Sequence, residues 1–130
     1  QSELKKNSKK SIILPVSAPF HCSLMKKAEI IMKKKIEGAK FKNPNPPVIS
    51  NVSATSESNV DNIKSLLVKQ ITSKVRWRES IEYMIKNNVS KFIEIGPGKV
   101  LSGLVKRINK NVEIKNLCNV EEIENYLKNV

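Results

Sequence analysis

The sequence predicts an α/β fold with a largely parallel sheet. Short runs of β-branched and aliphatic residues alternate along the chain with longer segments whose apolar residues recur every three or four positions. Prolines and glycines separate the two kinds of segment. Strands separated by helices in this way are typical of α/β units, in which a helix connects two parallel strands. The 130 residues are enough for one domain with a core, or for a large piece of one.

The first half of the chain is predicted to hold one long helix between two strands. Residues 1–10 are polar and charged, and we expect a flexible lead-in there and not a targeting peptide. A short strand is expected over residues 12–14 and a helix over residues 22–37, where the apolar positions share one helical face. The prolines within residues 42–47 exclude a helix or a central strand. Residues 47–54 then predict a strand and its exit.

The second half of the chain is predicted to alternate helices with two strands. Asn59 is expected to cap the first of these helices, because its side chain can accept a hydrogen bond from a free backbone N–H. The sequence "GPGK" (residues 96–99) predicts a tight turn and not a phosphate loop, since Val100 stands where a Ser or Thr would be needed. We expect helices over residues 60–71, 77–87, 100–108 and 120–127, and strands over residues 91–95 and 112–117.

The formal net charge of +12 has two explanations. Lys, Asn and Ile are the residues that A- and T-rich codons favour, so codon usage accounts for much of the charge. Alternatively, a positive field steers acidic partners such as nucleic acid, an anionic cofactor or an acidic carrier protein. Aromatic residues make up 5% of the chain, which is too few to build stacking platforms for single-stranded nucleic acid.

Several classes of protein are disfavoured by composition. No apolar run approaches the length of a membrane span, so we expect a soluble protein with no membrane partner. Two distant cysteines, Cys22 and Cys118, fit reduced thiols better than a disulfide scaffold. With one histidine and no Cys-x-x-Cys pair, no metal site is predicted.

His21, in "LPVSAPFHCSLM", is the only histidine and a candidate general base. It is placed where a loop meets the start of a helix, and the helix dipole there disfavours the imidazolium and keeps the ring neutral. A structural role in the turn is the alternative. No Gly-x-Ser-x-Gly elbow is present, adjacent Cys22 is a poor partner, and Asp61 is the only aspartate. If His21 is a base, its nucleophile lies outside these residues.

Four stretches carry a resemblance to a known family. They are "LPVSAPFHCSLM", "PPVISNVSA", "LLVKQITSKVRWRESIEYM" and "FIEIGPGKVLSGLVKRI", which together cover roughly residues 12–108. In order and interval they resemble the malonyl-CoA:acyl carrier protein transacylases of type II fatty-acid synthesis, relatives of polyketide synthase acyltransferase domains. The resemblance implies an α/β hydrolase-like acyltransferase core. Residues 11–130 would form the C-terminal part of its large subdomain, beginning at the strand that returns from a ferredoxin-like small subdomain.

The resemblance also implies roles for three residues. His21 would be the catalytic histidine, and the backbone carbonyl of Gln70 would orient it in place of an aspartate. Phe20 resembles the bulky residue of malonyl-selective relatives and would exclude methylmalonyl groups. The family's nucleophilic serine, its malonyl-binding arginine and its Gln-containing oxyanion loop are not among the 130 residues. We therefore expect this chain alone to be inactive.

Partners follow from the same resemblance. They would be malonyl-CoA as substrate, acyl carrier protein, and the upstream part of the same enzyme, with no bound cofactor and no nucleic acid. Lys106, Arg107 and Lys110 are candidate docking residues for the carrier protein or CoA. The composition fits a bacterial cytoplasm or a plastid stroma. Two alternatives remain at this stage: a non-catalytic carrier-protein docking module, or a basic nucleic-acid-binding protein.

Overall fold

The computed structural model describes residue 6 and residues 19–129 of the chain. The rest of the predicted lead-in and the predicted strand over residues 12–14 lie outside the described residues. The helices are α1 (Lys26–Gly38), α2 (Val60–Lys69), α3 (Trp77–Lys86), α4 (Val100–Ile108) and α5 (Val120–Leu127), and a 3-10 turn (Ser23–Met25) leads into α1. The strands are β1 (Val48–Ile49), β2 (Ser56–Glu57), β3 (Lys91–Ile95) and β4 (Glu113–Leu117).

The predicted α/β fold is confirmed by the pairing of β3 with β4. The two strands run parallel, in a register that pairs Lys91 with Glu113 and Ile95 with Leu117. Parallel neighbours need a crossover connection, and α4 provides it. Helix α4 contacts both strands, while α5 contacts β4. This arrangement is the βαβα pattern that the alternating segments predicted.

One strand pair differs from the prediction. Residues 47–54 were expected to hold a strand, but β1 has only two residues and pairs antiparallel with β2, which the sequence did not indicate. The intervening turn holds the pair together, since the N–H of Ala54 donates to the carbonyl of Ser50 at 2.8 Å. A two-residue strand is too short to show a period-two pattern, which is why β2 was missed.

Asparagine side chains cap two of the helices. The Asn59 side chain accepts a hydrogen bond from the N–H of Asn62 at 3.0 Å, as predicted. At the start of α5, Asn119 Oδ1 accepts from the N–H of Glu122 at 2.9 Å, and the Glu122 carboxylate accepts from the N–H of Cys118 at 2.7 Å. These reciprocal bonds satisfy N–H groups that a helix start leaves without partners.

The turn between β3 and α4 is shaped by two glycines and one carboxylate. Gly96 and Gly98 have φ angles of +130° and +95°, which L side chains rarely adopt. The Glu94 carboxylate, at the end of β3, accepts hydrogen bonds from the N–H groups of Leu101 at 3.1 Å and Ser102 at 2.8 Å. The strand therefore supplies the cap of the helix that follows it.

The core of the described residues is small. Ile81, on α3, is 1% exposed, and the other buried apolar residues are Ala54, Val105 and Leu117. Many large apolar side chains are exposed instead, including Leu24, Ile30 and Ile31 around α1, Ile93 and Ile95 on β3, and Val100 and Leu101 on α4. The described residues thus leave apolar surface uncovered on α1, β3 and α4 and in the 3-10 turn before α1. Across residues 19–129, every helix is too short or too polar to cross a bilayer.

Candidate active site

His21 occupies a strained turn just before the 3-10 helix. Its φ is +58°, in the left-handed region that costs a non-glycine residue about 1–2 kcal/mol. Residues held in such conformations cluster at functional sites. The neighbouring Cys22 thiol donates to the carbonyl of Pro19 at 3.1 Å. The thiol is therefore engaged with the main chain, in line with the expectation that Cys22 is not the nucleophile partner of His21.

The turn after α2 leaves the carbonyl of Gln70 available to a side chain. The N–H of Gln70 donates to the carbonyl of Leu66 at 2.9 Å, but the N–H groups of residues 71–73 bond to the carbonyls of Val68 and Lys69. Within the described residues, no backbone N–H reaches the carbonyl of Gln70. The last carbonyls of any helix lack intrahelical partners, so this oxygen can bind a side chain.

The side chain of His21 binds this carbonyl oxygen. Its Nδ1 lies 2.9 Å from the carbonyl oxygen of Gln70. A carbonyl only accepts hydrogen bonds, so Nδ1 must carry the proton, and Nε2 of the neutral ring is left with its lone pair. A histidine oriented in this way can take a proton from a hydroxyl or thiol and return it later. Its catalytic role stays a prediction.

Of the other predicted site residues, one adjoins His21 in sequence and three lie on or just after α4. Phe20 directly precedes His21 and is 59% exposed. Lys106 and Arg107 are exposed in the last turn of α4, and Lys110 is exposed in the loop beyond it. Within residues 19–129, no hydrogen bond or ion pair connects these three cations to His21 or Gln70. Nor does that stretch gather three His, Cys, Asp or Glu side chains as metal ligands would be.

A second connection between the same two segments was not predicted from the sequence. Thr72 Oγ1, two residues after Gln70, donates to Glu29 Oε2 on α1 at 2.6 Å, and Lys26 Nζ donates to Glu29 Oε1. The hydrogen bond from Lys26, and then that from Thr72, hold the pKa of Glu29 below its usual value. An acidic residue in a first helical turn is accounted for by the helix dipole alone, so the pattern gave no signal of a tertiary partner.

No protein-family model matches this chain, but individual proteins do. Malonyl CoA-acyl carrier protein transacylase of Bacillus subtilis (strain 168) is 46% identical over 125 residues, which are 95% of this chain and 39% of that protein. The chain therefore spans about two fifths of the length of this relative.

Two solved structures are similar in fold. Acyl-carrier-protein-S-malonyltransferase from Bartonella henselae superposes with a TM-score of 0.86 at 44% identity, over 97% of this chain and 41% of that one. A malonyl-transacylase solved in complex with a type II PKS acyl-carrier protein gives a TM-score of 0.85 at 35% identity, over 98% of this chain and 42% of that one.

The fold defined by these superpositions is that of an acyltransferase core. Over 95% of its length, the chain is similar to the C-terminal portion of malonyl CoA-acyl carrier protein transacylases. The resemblance indicated by the four sequence stretches is thereby confirmed.

We expect Gln70→Ala to leave the proton on His21 Nδ1, because the backbone carbonyl and not the side chain makes the contact. Ile71→Pro is the contrasting variant, since a proline disfavours the helical conformation of the residue before it and would turn the carbonyl of Gln70 away. Imidazole ¹⁵N shifts measure the tautomer, and the single histidine makes their assignment unambiguous. A proton shifted to Nε2 by Gln70→Ala would contradict the backbone contact.

Proposed function

We propose that this chain supplies the general base of a malonyl transacylase. The reaction moves a malonyl group from malonyl-CoA to the phosphopantetheine thiol of an acyl carrier protein, through an ester on a serine. The observation that carries the proposal is the hydrogen bond of 2.9 Å between His21 Nδ1 and the carbonyl of Gln70. It leaves Nε2 as the free basic nitrogen, in a chain 46% identical to a transacylase. The relatives support this function over the docking-module and nucleic-acid hypotheses.

The first half of the reaction uses His21 as a base and then as an acid. Nε2 takes the proton of the serine hydroxyl as the oxygen attacks the malonyl thioester carbonyl. The carbonyl of Gln70 stabilises the resulting imidazolium through Nδ1–H. The C–S bond then breaks, and the imidazolium gives its proton to the departing CoA thiolate. The products are a malonyl ester on serine and free CoA.

The second half reverses the roles. The thiol of the carrier protein's phosphopantetheine gives its proton to Nε2 and attacks the ester carbonyl. The serine oxygen leaves and recovers the proton from His21, which returns to its starting tautomer. One neutral histidine thus serves both transfers without a net change of protonation. No cofactor takes part, and malonyl-CoA enters as a substrate.

The proposal requires the upstream part of the enzyme as a partner. The family's serine elbow and oxyanion loop do not occur in the 130 residues, and the chain spans 39% of the Bacillus subtilis relative. Exposed apolar side chains such as Leu24 (75% exposed) and Ile95 (67% exposed) are a surface that such a partner could cover. The compartment we propose is a bacterial cytoplasm or a plastid stroma, which fractionation of the source cells would test.

We expect the isolated chain to transfer no malonyl group, because a base without a nucleophile has nothing to activate. A chimeric protein in which the chain replaces the matched stretch of the Bacillus subtilis relative should be malonylated on serine by malonyl-CoA. In that chimera, His21→Ala should slow transfer by about 10²- to 10⁴-fold. Intact mass spectrometry after rapid quenching measures both effects.

His21→Asn is a second variant for this test, because Asn adopts the positive φ of this turn readily. Gln70→Ala is the matched control and should keep its activity, since the carbonyl remains. Malonyl transfer by the isolated chain, or full activity of a folded His21→Asn chimera, would show the proposal to be wrong.

We propose that Phe20 sets the preference for malonyl over methylmalonyl groups, since its ring adjoins His21 and would crowd an α-methyl branch. Phe20→Ala in the chimera should raise the ratio of kcat/KM for methylmalonyl-CoA to that for malonyl-CoA by about tenfold or more. Phe41→Ala is the matched control, because Phe41 contacts Lys64 on α2 instead. An unchanged ratio for Phe20→Ala would remove Phe20 from the selectivity site.

We propose that Lys106, Arg107 and Lys110 attract the acidic carrier protein. Their triple replacement by Glu should raise KM for the carrier protein about tenfold at low salt and leave KM for malonyl-CoA within about twofold. Replacing Lys33, Lys34 and Lys35 of α1 by Glu changes the net charge equally and is the control. Equal effects of the two triple variants would mean that the overall field, and not a docking site, attracts the carrier.

A further inference from the structure

The His21–Gln70 contact is weakly protected by its surroundings. His21 is exposed, and its turn belongs to no helix or strand. A hydrogen bond open to water is worth little, because water competes for both partners. The two residues are also 49 positions apart in sequence, so nothing local fixes the distance between them. Some other contact must hold the two segments in register if His21 is to keep one tautomer.

The Glu29–Thr72 hydrogen bond joins the same two segments. Glu29 lies eight residues after His21, on the helix that the histidine's turn leads into, and Thr72 lies two residues after Gln70. The Thr72 hydroxyl donates to Glu29 Oε2 at 2.6 Å, a length typical of a hydroxyl bonded to a charged carboxylate. Both contacts lie where the start of α1 meets the end of α2, and the two helices also contact each other directly.

The environment of Glu29 suits it to hold the two segments together. Its side chain is 14% exposed, whereas that of Lys26, which donates to its other oxygen, is 64% exposed. The two hydrogen bonds keep its pKa below the usual value, so the carboxylate is ionised near neutral pH. Thr72 is itself fixed by its N–H, which donates to the carbonyl of Lys69 at 3.2 Å. Both oxygens of the carboxylate are engaged, so its orientation is defined.

We propose that Glu29 and Thr72 are positioning residues that hold the carbonyl of Gln70 against His21 and thereby fix the Nδ1–H tautomer. This inference rests on the proposed function only in taking His21 as the base. The His21–Gln70 and Glu29–Thr72 hydrogen bonds join the same two segments. Because the Glu29–Thr72 bond is less exposed to water, it limits how far the segments can separate at His21.

The test compares Thr72→Val, which keeps the shape of the side chain and removes the hydroxyl, with Thr72→Ser, which keeps the hydroxyl. Imidazole ¹⁵N shifts of His21 in the full chain give the ratio of the Nδ1–H to the Nε2–H tautomer. We expect this ratio to fall about 2- to 10-fold in Thr72→Val, which corresponds to the loss of one hydrogen bond. In Thr72→Ser the ratio should equal that of the unsubstituted chain. Glu29→Gln, which removes the charge at the same shape, should lower the ratio in the same direction.

Glu37→Gln is the matched control. Glu37 lies on the same helix, eight residues after Glu29, and forms an exposed ion pair with Lys33. The proposal is overturned if folded Thr72→Val and Glu29→Gln keep the original ratio, or if Glu37→Gln lowers it equally. Should Thr72→Val fail to fold, Glu29→Gln and Thr72→Ser decide the question alone. Because the readout needs no catalysis, an inactive chimera would count against the proposed function and not against this pair.

Discussion

The carbonyl that α2 leaves free at its C-terminus is the constraint on which the candidate site depends. A helix cannot satisfy its last carbonyls internally, and the turn after Gln70 bonds to the carbonyls of Val68 and Lys69 instead. An acceptor is thus available at a fixed place without any acidic side chain. This explains how a chain with a single aspartate, Asp61, exposed in the first turn of α2, can still orient a histidine. The orienting group is a product of helix geometry and not of residue type.

The helices and the strands of the parallel pair could be predicted because side-chain capping and apolar spacing act between residues close together in the sequence. Asn59 caps α2 as its side-chain chemistry predicts, and the apolar spacing after Gly98 gives α4 with the predicted bounds. The short strand β2 could not be predicted, since Ser56 and Glu57 carry no alternating pattern. Besides its local hydrogen bonds, the turn that pairs β2 with β1 accepts two from Arg76, at the carbonyls of Asn51 and Ser53, and these tertiary contacts have no signal in the local pattern.

Some residues of the candidate site could be predicted from the sequence and others could not. His21 could be found from the sequence because it is the only histidine and stands at a loop-to-helix junction. The residue that orients it was indicated only by resemblance to a family, because a backbone carbonyl has no signature in residue type. Glu29 and Thr72 were not found at all. Each is unremarkable in its own helix or turn, and only the packing of α1 against α2 brings them together.

The cap that Glu94 places on α4 has a consequence for the order in which the chain assembles. The carboxylate reaches N–H groups seven and eight residues ahead of it, so closing this loop costs little chain entropy. The contact between His21 and Gln70 joins residues 49 positions apart, at the ends of two helices that pack against each other. The β3–α4 unit can therefore form from local contacts, whereas the histidine reaches its acceptor only once α1 and α2 have met. We therefore expect the His21–Gln70 contact to form late in the folding of the described chain.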